Sequence, residues 1–254
     1  MFDVELHLLG DLWRLAPRSR LVAGPDGTPT ALRKRLALPA SVKDVLESLG
    51  LPHCEVGAVT ADDPAGVAVA LSEVIAAPRT LVVAPARPRH LADARFLCDQ
   101  HLGKLARLLR MVGFDTAWER TWLEPEVARR ALNEGRVVLS RGRQLLKRKS
   151  LDRALLIRSD RPDDQLGEVL TRFRLAGDIR LPGRCSHCNG ELVPVAKADV
   201  DARIPPLTRR WLDAYHVCRH CDQLYWEGTH ILAIKQRLAG ILAGLDRTDE
   251  PPET

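Results

Sequence analysis

Apolar and polar positions alternate from the first residues of the chain. Phe2, Val4, Leu6 and Leu8 are separated by Asp3, Glu5 and His7, the pattern of a strand with one buried face. Pro, Gly and Thr over residues 24–30 mark a turn. Ser41 then opens a helix, with Asp44 three residues on as a short capping partner; Val42, Val45, Leu46 and Leu49 supply its buried stripe and Gly50 stops it. Residues 56–60 and 81–84 read as further strands, and residues 85–90 as a Pro-containing linker. Beyond the linker the pattern changes. Residues 95–98 form a short strand. Residues 102–112 form a helix with Leu102, Leu105, Ala106, Leu109 and Val112 inward. A strand over 114–118 is followed by a helix whose inner face is Val127, Ala128, Ala131 and Leu132, with Pro125 in its first turn. A buried strand at 137–139, a basic helical stretch at 143–149, a strand at 154–157 and a helix over 164–173 complete the series. A last helix covers 229–242.

Strands around one early helix point to a β-grasp, ubiquitin-like unit. The repeated strand–helix units that follow point to an α/β parallel sheet with helices on both faces. Ligands of such sheets sit beyond the carboxyl ends of the strands, which here carry Asp99, Glu119, Ser140 with Arg141, and Asp160. The predicted organisation is a β-grasp domain over 1–86, an α/β domain over 91–182, a metal module with a C-terminal helix over 183–245, and a disordered tail over 246–254.

Composition narrows the class. The chain has 254 residues, 45% hydrophobic and 28% charged, enough apolar mass for a packed core. No apolar run approaches the ~18 residues of a membrane helix, and acids stand where a secretory signal carries Lys or Arg, so neither a membrane span nor export is expected. Six cysteines are too few for a disulfide scaffold, which indicates a reducing, cytoplasmic setting. The net charge of +5 is concentrated in the middle of the chain: residues 136–161 hold nine basic residues against Asp152 and Asp160. That excess suits a phosphate-bearing, polyanionic partner; a solvated face is the alternative.

Two Cys-x-x-C pairs, Cys185 with Cys188 and Cys218 with Cys221, are separated by 29 residues. Paired thiolates on two turns make a closed, tetrahedral structural Zn²⁺ site; two disulfides or a redox pair are the alternative. His187 and His220 lie inside the pairs, but four cysteines already complete a shell. Cys54 and Cys98 read as core thiols.

The segment "SVKDVLESLGLPHCEVG", residues 41–57, resembles the β-grasp domain that precedes certain PIN-like ribonuclease domains. Its relatives among sulfur carriers end in Gly-Gly, whereas this unit runs out through Ala84, Pro85, Ala86, Arg87 and Pro88; carrier or conjugation chemistry is therefore excluded, leaving a protein-docking module or a fold stabiliser. The run "FLCDQHLGKLARLLRMVGFDTAW", residues 96–118, resembles the Mut-seven carboxy-terminal ribonuclease family, a PIN-like nuclease fold followed by a zinc ribbon. The resemblance continues through "EGRVVLSRGRQLLKR" (134–148), "RSDRPDDQLGEVLTRF" (158–173), "RCSHCNGELVPV" (184–195) and "CRHCDQLYWEGTH" (218–230).

The resemblance implies carboxylates at strand ends that hold Mg²⁺ or Mn²⁺ for phosphodiester hydrolysis. Asp99 matches the first acid. The usual Thr-Arg-Asp is here Ser140, Arg141 and Gly142, so the second acid is missing, and Asp160 and Glu119, or Glu124 and Asp163, would have to substitute. His101 is a candidate contact to phosphate or water. Lys104, Arg107, Arg110, Arg141, Arg143, Lys147, Arg148 and Lys149 are the candidate RNA contacts. Trp122 and Tyr225 are candidates for stacking on bases, while Trp118 and Trp226 read as core. The expected function is RNA binding with weak metal-dependent cleavage. The alternatives are a non-catalytic binder of RNA or of a ribosome-type ribonucleoprotein, in which the β-grasp domain supplies a protein contact, and a purely protein-binding adaptor.

Overall fold

In a computed structural model, the structure describes residues 1–24, 27–62, 66–148, 150–226 and 228–246. Two compact units are present, Met1–Arg87 with Gly142–Leu156, and Pro88–Arg141 with the chain from Ile157 onward.

The first unit contains β1 (Phe2–Leu8), β2 (Leu21–Val22), β3 (Ala31–Leu36), β4 (Ala40–Ser41), α1 (Val42–Ser48), β5 (Val56–Ala61), β6 (Val74–Ile75) and β7 (Arg79–Pro85). Five strands form one sheet in the order β2-β3-β1-β7-β5, with the parallel pair β1 and β7 at its centre and antiparallel neighbours outside. This is the β-grasp arrangement. The alternation in β1 puts Val4, Leu6 and Leu8 in the core with Val45, Leu46, Leu81 and Val83. Its outward acids find cross-strand arginines in register: Asp3 faces Arg35 and Glu5 faces Arg33. The Ser41 hydroxyl caps α1 by accepting the Asp44 N–H at 3.1 Å.

The second unit opens with β8 (Arg95–Cys98), α2 (Gly103–Met111), β9 (Asp115–Ala117), α3 (Glu124–Glu134) and β10 (Val137–Ser140). The three strands run parallel in the order β10-β8-β9. α2 packs on β8 and β9, and α3 packs on β8 and β10. Leu132, expected on the inner face of α3, is 52% exposed. Val127, Ala128 and Ala131 already complete the buried stripe, and one further residue turns the side chain ~100° away.

The next stretch, Gly142–Leu156, belongs to the first unit. It holds α4 (Arg143–Leu146), shorter than the helix expected to 149, and β11 (Ala154–Leu156). Within that unit Glu55, only 2% exposed, accepts the Leu156 N–H at 2.9 Å, and buried His53 faces Glu47 at 2.7 Å. α5 (Pro162–Phe173) returns to the second unit and packs against α2. A small module follows, with β12 (Leu192–Val195), α6 (Lys197–Val200), α7 (Pro206–Arg209), β13 (Tyr215–Cys218) and β14 (Leu224–Trp226). Its antiparallel sheet, in keeping with the zinc-ribbon resemblance although the apolar pattern marked none of its strands, closes over a core of Val200, Ile204, Tyr215 and Leu224, against which Trp226 packs. α8 (Thr229–Asp246) lies on α5. The tail expected from Asp246 falls, beyond that residue, outside the described residues. Cys54 and Cys98 are buried, and burial raises the Cys98 thiol far above its usual range. No helix among the described residues is long and apolar enough to cross a membrane.

Glu55→Ala would leave the Leu156 amide buried without its acceptor. A loss of about 1–3 kcal/mol is expected, read as a lower urea midpoint with faster amide exchange at Leu156.

Candidate functional site

The buried run of β8 carries the chain to Asp99, itself 6% exposed. Asp99 Oδ1 accepts the His101 N–H at 2.9 Å. Oδ2 accepts the Ser140 hydroxyl at 2.5 Å and the Arg141 N–H at 3.1 Å. The Asp99 amide in turn donates to the Leu139 carbonyl at 3.0 Å. One carboxylate thus caps the turn that leads into α2 and ties the end of β8 to the end of β10.

The other sequence-nominated acids stand apart from this arrangement. Asp160 is exposed and paired with Arg141; Asp163 is paired with Arg237. Glu119 is exposed and accepts the Arg120 N–H at 2.8 Å, and Glu124 is exposed at the start of α3. Among the described residues, the one group of three or more His, Cys, Asp or Glu side chains placed to converge on a metal ion consists of four cysteines and no acid.

A pocket of about 630 Å³ lies beyond the carboxyl ends of β8, β9 and β10. Lys104, Arg107, Arg120 and Arg141 line it, with Asp160 as its one acid. Gln100 and His101 of the Asp99 turn also reach it, as do Trp118 and Gln165. Gly103 is the close-approach point: a Cβ there would lie 2.5 Å from the Trp118 ring. Arg120 and Gln165 were missed in the sequence. Arg120 follows the β9 strand end by three residues, so the strand-end rule pointed to its neighbourhood.

Arg110 departs from the predicted phosphate-facing band. Each step of three residues falls short of a full helical turn by about 60°, so two steps from Lys104 swing position 110 from solvent into the interior. Arg110 is 4% exposed. Its Nε donates to the Thr116 carbonyl at 2.8 Å, and Nη1 donates to the carbonyls of Ser186 and His187 at 3.1 and 2.9 Å. Burial lowers its pKa, but a guanidinium stays charged, and those carbonyls replace its water. Asn189 adds a second clasp: it accepts the Thr116 N–H at 3.0 Å and donates to Asp115 at 2.7 Å. Burial raises the Asp115 pKa, yet the hydrogen bonds from Arg136 and Asn189 prevail and hold it below the usual carboxylate range.

The remaining cations differ in setting. Arg143 donates to the Leu15 carbonyl within the first unit, which opposes a phosphate role for it. Lys147 is half-buried and Arg148 exposed, both in Gly142–Leu156 of that unit, and Lys149 lies outside the described residues. The Trp122 ring is covered by the Arg130 guanidinium at 4.2 Å. Tyr225, a candidate for stacking on bases, places its hydroxyl 3.1 Å from Cys185 Sγ and accepts the Ser186 N–H at 3.1 Å.

Cys185, Cys188, Cys218 and Cys221 bring their sulfurs within 4.8 Å of one another. Backbone N–H groups of Cys188, Gly190 and His220 point at Cys185, Cys188 and Cys218 sulfurs, each at 3.4 Å. Burial opposes ionisation of Cys185, but the Cys188 N–H, the Tyr225 hydroxyl and neighbouring sulfurs bring it down to about 6. Burial, together with the sulfurs around it, moves Cys188 up to about 12. Four sulfurs so close, with backbone N–H donors aimed at them, suit a tetrahedral cation such as zinc at their centre.

Residues 94–238 match the family model described as Mut7-C RNAse domain, and residues 24–89 match the one described as Mut7-C ubiquitin. No curated protein and no solved structure matches the chain.

Arg110→Ala would strand the Thr116, Ser186 and His187 carbonyls in the interior. A destabilisation of about 3 kcal/mol is expected, against less than about 0.5 kcal/mol for Lys104→Gln on the exposed face of the same helix. Urea unfolding followed by tryptophan fluorescence tests the contrast.

Proposed function

The chain belongs to the Mut7-C RNAse domain family, and we propose that it binds RNA through the basic pocket at the carboxyl ends of β8, β9 and β10, with hydrolysis reduced to a weak activity or lost. The observation that carries this reading is the sign of charge at the pocket: Lys104, Arg107, Arg120 and Arg141 against Asp160 alone. Guanidiniums take phosphate oxygens in pairs, and an ammonium adds a point charge. An arriving phosphate competes with Asp160 for Arg141.

Weak hydrolysis follows from the acids. Three donors already occupy Asp99, Gly142 stands at the second acid's place, and Asp160 and Glu119 are engaged elsewhere. Mg²⁺ or Mn²⁺ needs several convergent oxygens to be fixed well enough to orient an attacking water. We assign Asp99 the role of a positioning residue, which fixes the backbone of His101 and Arg141 at the pocket edge. Zn²⁺ is the ion proposed for the four cysteines; it supplies a structural cross-link with no open coordination position.

Three outcomes are expected. RNA affinity should fall as salt rises, by ~0.7 in log K per log unit of salt for each phosphate the pocket neutralises. The double variant Lys104→Gln with Arg107→Gln should flatten that slope while leaving thermal unfolding in place. Absence of RNA binding at low salt would remove the reading. Metal analysis of reduced protein should find one zinc per chain, lost in Cys185→Ser or Cys218→Ser together with amide protection over 184–226. Incubation of single-stranded RNA with Mg²⁺ or Mn²⁺ should give little product. Robust cleavage by the wild type that disappears in Asp99→Asn would restore a catalytic role to Asp99.

A further inference from the structure

We infer that the pocket recognises a phosphorylated RNA end, a terminal phosphomonoester, in preference to the interior of a strand. The inference rests on the RNA-binding reading above and makes it more specific.

The first observation is uncompensated charge. Arg141 has Asp160 as its partner, whereas Lys104, Arg107 and Arg120 make no side-chain ion pair or hydrogen bond among the described residues. Three cations without counter-ions therefore line one cavity. An internal phosphodiester brings one negative charge per nucleotide. A terminal phosphomonoester brings ~1.5–2 charges and three free oxygens at one point. The end of a strand, with its own monoester and the adjoining diester, matches three cations; an internal nucleotide leaves part of that charge unmet.

The second observation is size. A cavity of about 630 Å³ falls within the ~300–1,000 Å³ that encloses a small ligand, the scale of a terminal nucleotide. The third is the nature of the remaining wall. Gln165 is 5% exposed, and its Nε2 donates to the Ser159 carbonyl at 2.9 Å, which fixes the amide and leaves Oε1 as an acceptor. Trp118 is held against Gly103 beside it. An aromatic wall and a fixed acceptor suit a sugar or base attached to the phosphate, so the ligand is a nucleotide end rather than a free anion.

The cations are held by rigid supports. Lys104 and Arg107 project from α2, whose entry turn is capped by Asp99 and whose far end is clasped through Arg110. The Arg141 backbone is bound to Asp99. Pre-set cations lose less entropy on capturing a phosphate than mobile ones, and this favours a compact, highly charged terminus.

The test uses the full chain and one short single-stranded RNA made with a 5′-phosphate, with a 3′-phosphate, or with hydroxyls at both ends. Affinities are measured by fluorescence anisotropy at fixed salt. One of the phosphorylated forms should bind about tenfold more tightly than the hydroxyl-ended form, and which one identifies the end. Arg120→Gln should collapse that preference. Arg18→Gln, an exposed cation of the first unit, should keep it. Equal binding of all three forms, with salt dependence intact, would overturn end recognition and leave the RNA reading standing. No binding of any form would overturn both. A preference that survives in Arg120→Gln combined with Lys104→Gln, in protein whose thermal unfolding is unchanged, would place the phosphate elsewhere and overturn the assignment to this pocket.

Discussion

A guanidinium taken out of water must find acceptors, and the organisation of the second unit follows from how Arg110 finds them. Its three carbonyl partners come from Thr116, in β9, and from Ser186 and His187, between Cys185 and Cys188. Those groups must be brought to the end of α2 before the charge can be buried. The backbone does part of this work: the Gly183 N–H donates to the Met111 carbonyl at 3.1 Å, and the Arg184 N–H donates to the Arg110 carbonyl at 2.7 Å. The approach is so close that a Cβ at position 183 would lie 2.3 Å from the Gly113 nitrogen, so only glycine fits. The cysteine turn is therefore part of the α/β domain's packing. An ion that shapes residues 185–188 also shapes the carbonyls that solvate Arg110.

Asp99 acts at the opposite end of the same helix. It stands where the family resemblance puts a metal ligand, yet its oxygens hold the His101 and Arg141 amides and the Ser140 hydroxyl. An acid at a strand end serves either purpose, and the neighbours decide which. With glycine at 142 and cations at 104, 107, 120 and 141, the local field favours an anionic ligand over a divalent cation. The same strand-end topology that gathers acids around a metal in a nuclease here gathers Lys104, Arg107, Arg120 and Arg141.

Much of this was legible from the sequence because the controlling patterns are short-range. Alternation in β1, the Ser41 cap, the α2 stripe and the two Cys-x-x-C pairs depend on neighbours within a few residues. The failures share the opposite character. Arg110 looked like the third member of an exposed band, and only the lag of the helix against a three-residue repeat, together with carbonyls more than seventy residues away, turns it inward. Tyr225 looked like a free aromatic until Cys185 and Ser186 claimed its hydroxyl. The basic run over 136–161 divides between the two units, with Gly142–Leu156 clustering with the N-terminal strands, and within that unit Arg143 serves the Leu15 carbonyl. The β12–β14 strands, expected only through the zinc-ribbon resemblance, leave no apolar pattern because they are three or four residues long and their core is only four buried residues. Such a sheet holds its shape through cross-links more than through apolar area.

The contrast between Arg110 and Arg107 shows why a count of cations is a poor guide to binding. Both lie on one helix, three residues apart, and both add equally to the net charge of +5. Arg110 has its donors committed to three carbonyls and contributes packing; Arg107 has none committed and contributes field. Binding capacity therefore depends on the cations the fold leaves uncommitted. The committed ones still matter to it, because Arg110 at one end of α2 and Asp99 at the other hold Lys104 and Arg107 in place. On the RNA-binding reading proposed above, a substitution at either anchor would weaken phosphate capture without removing any group that touches phosphate. Its effect would appear in amide protection of α2 as well as in affinity, whereas loss of Arg107 itself would appear in affinity alone.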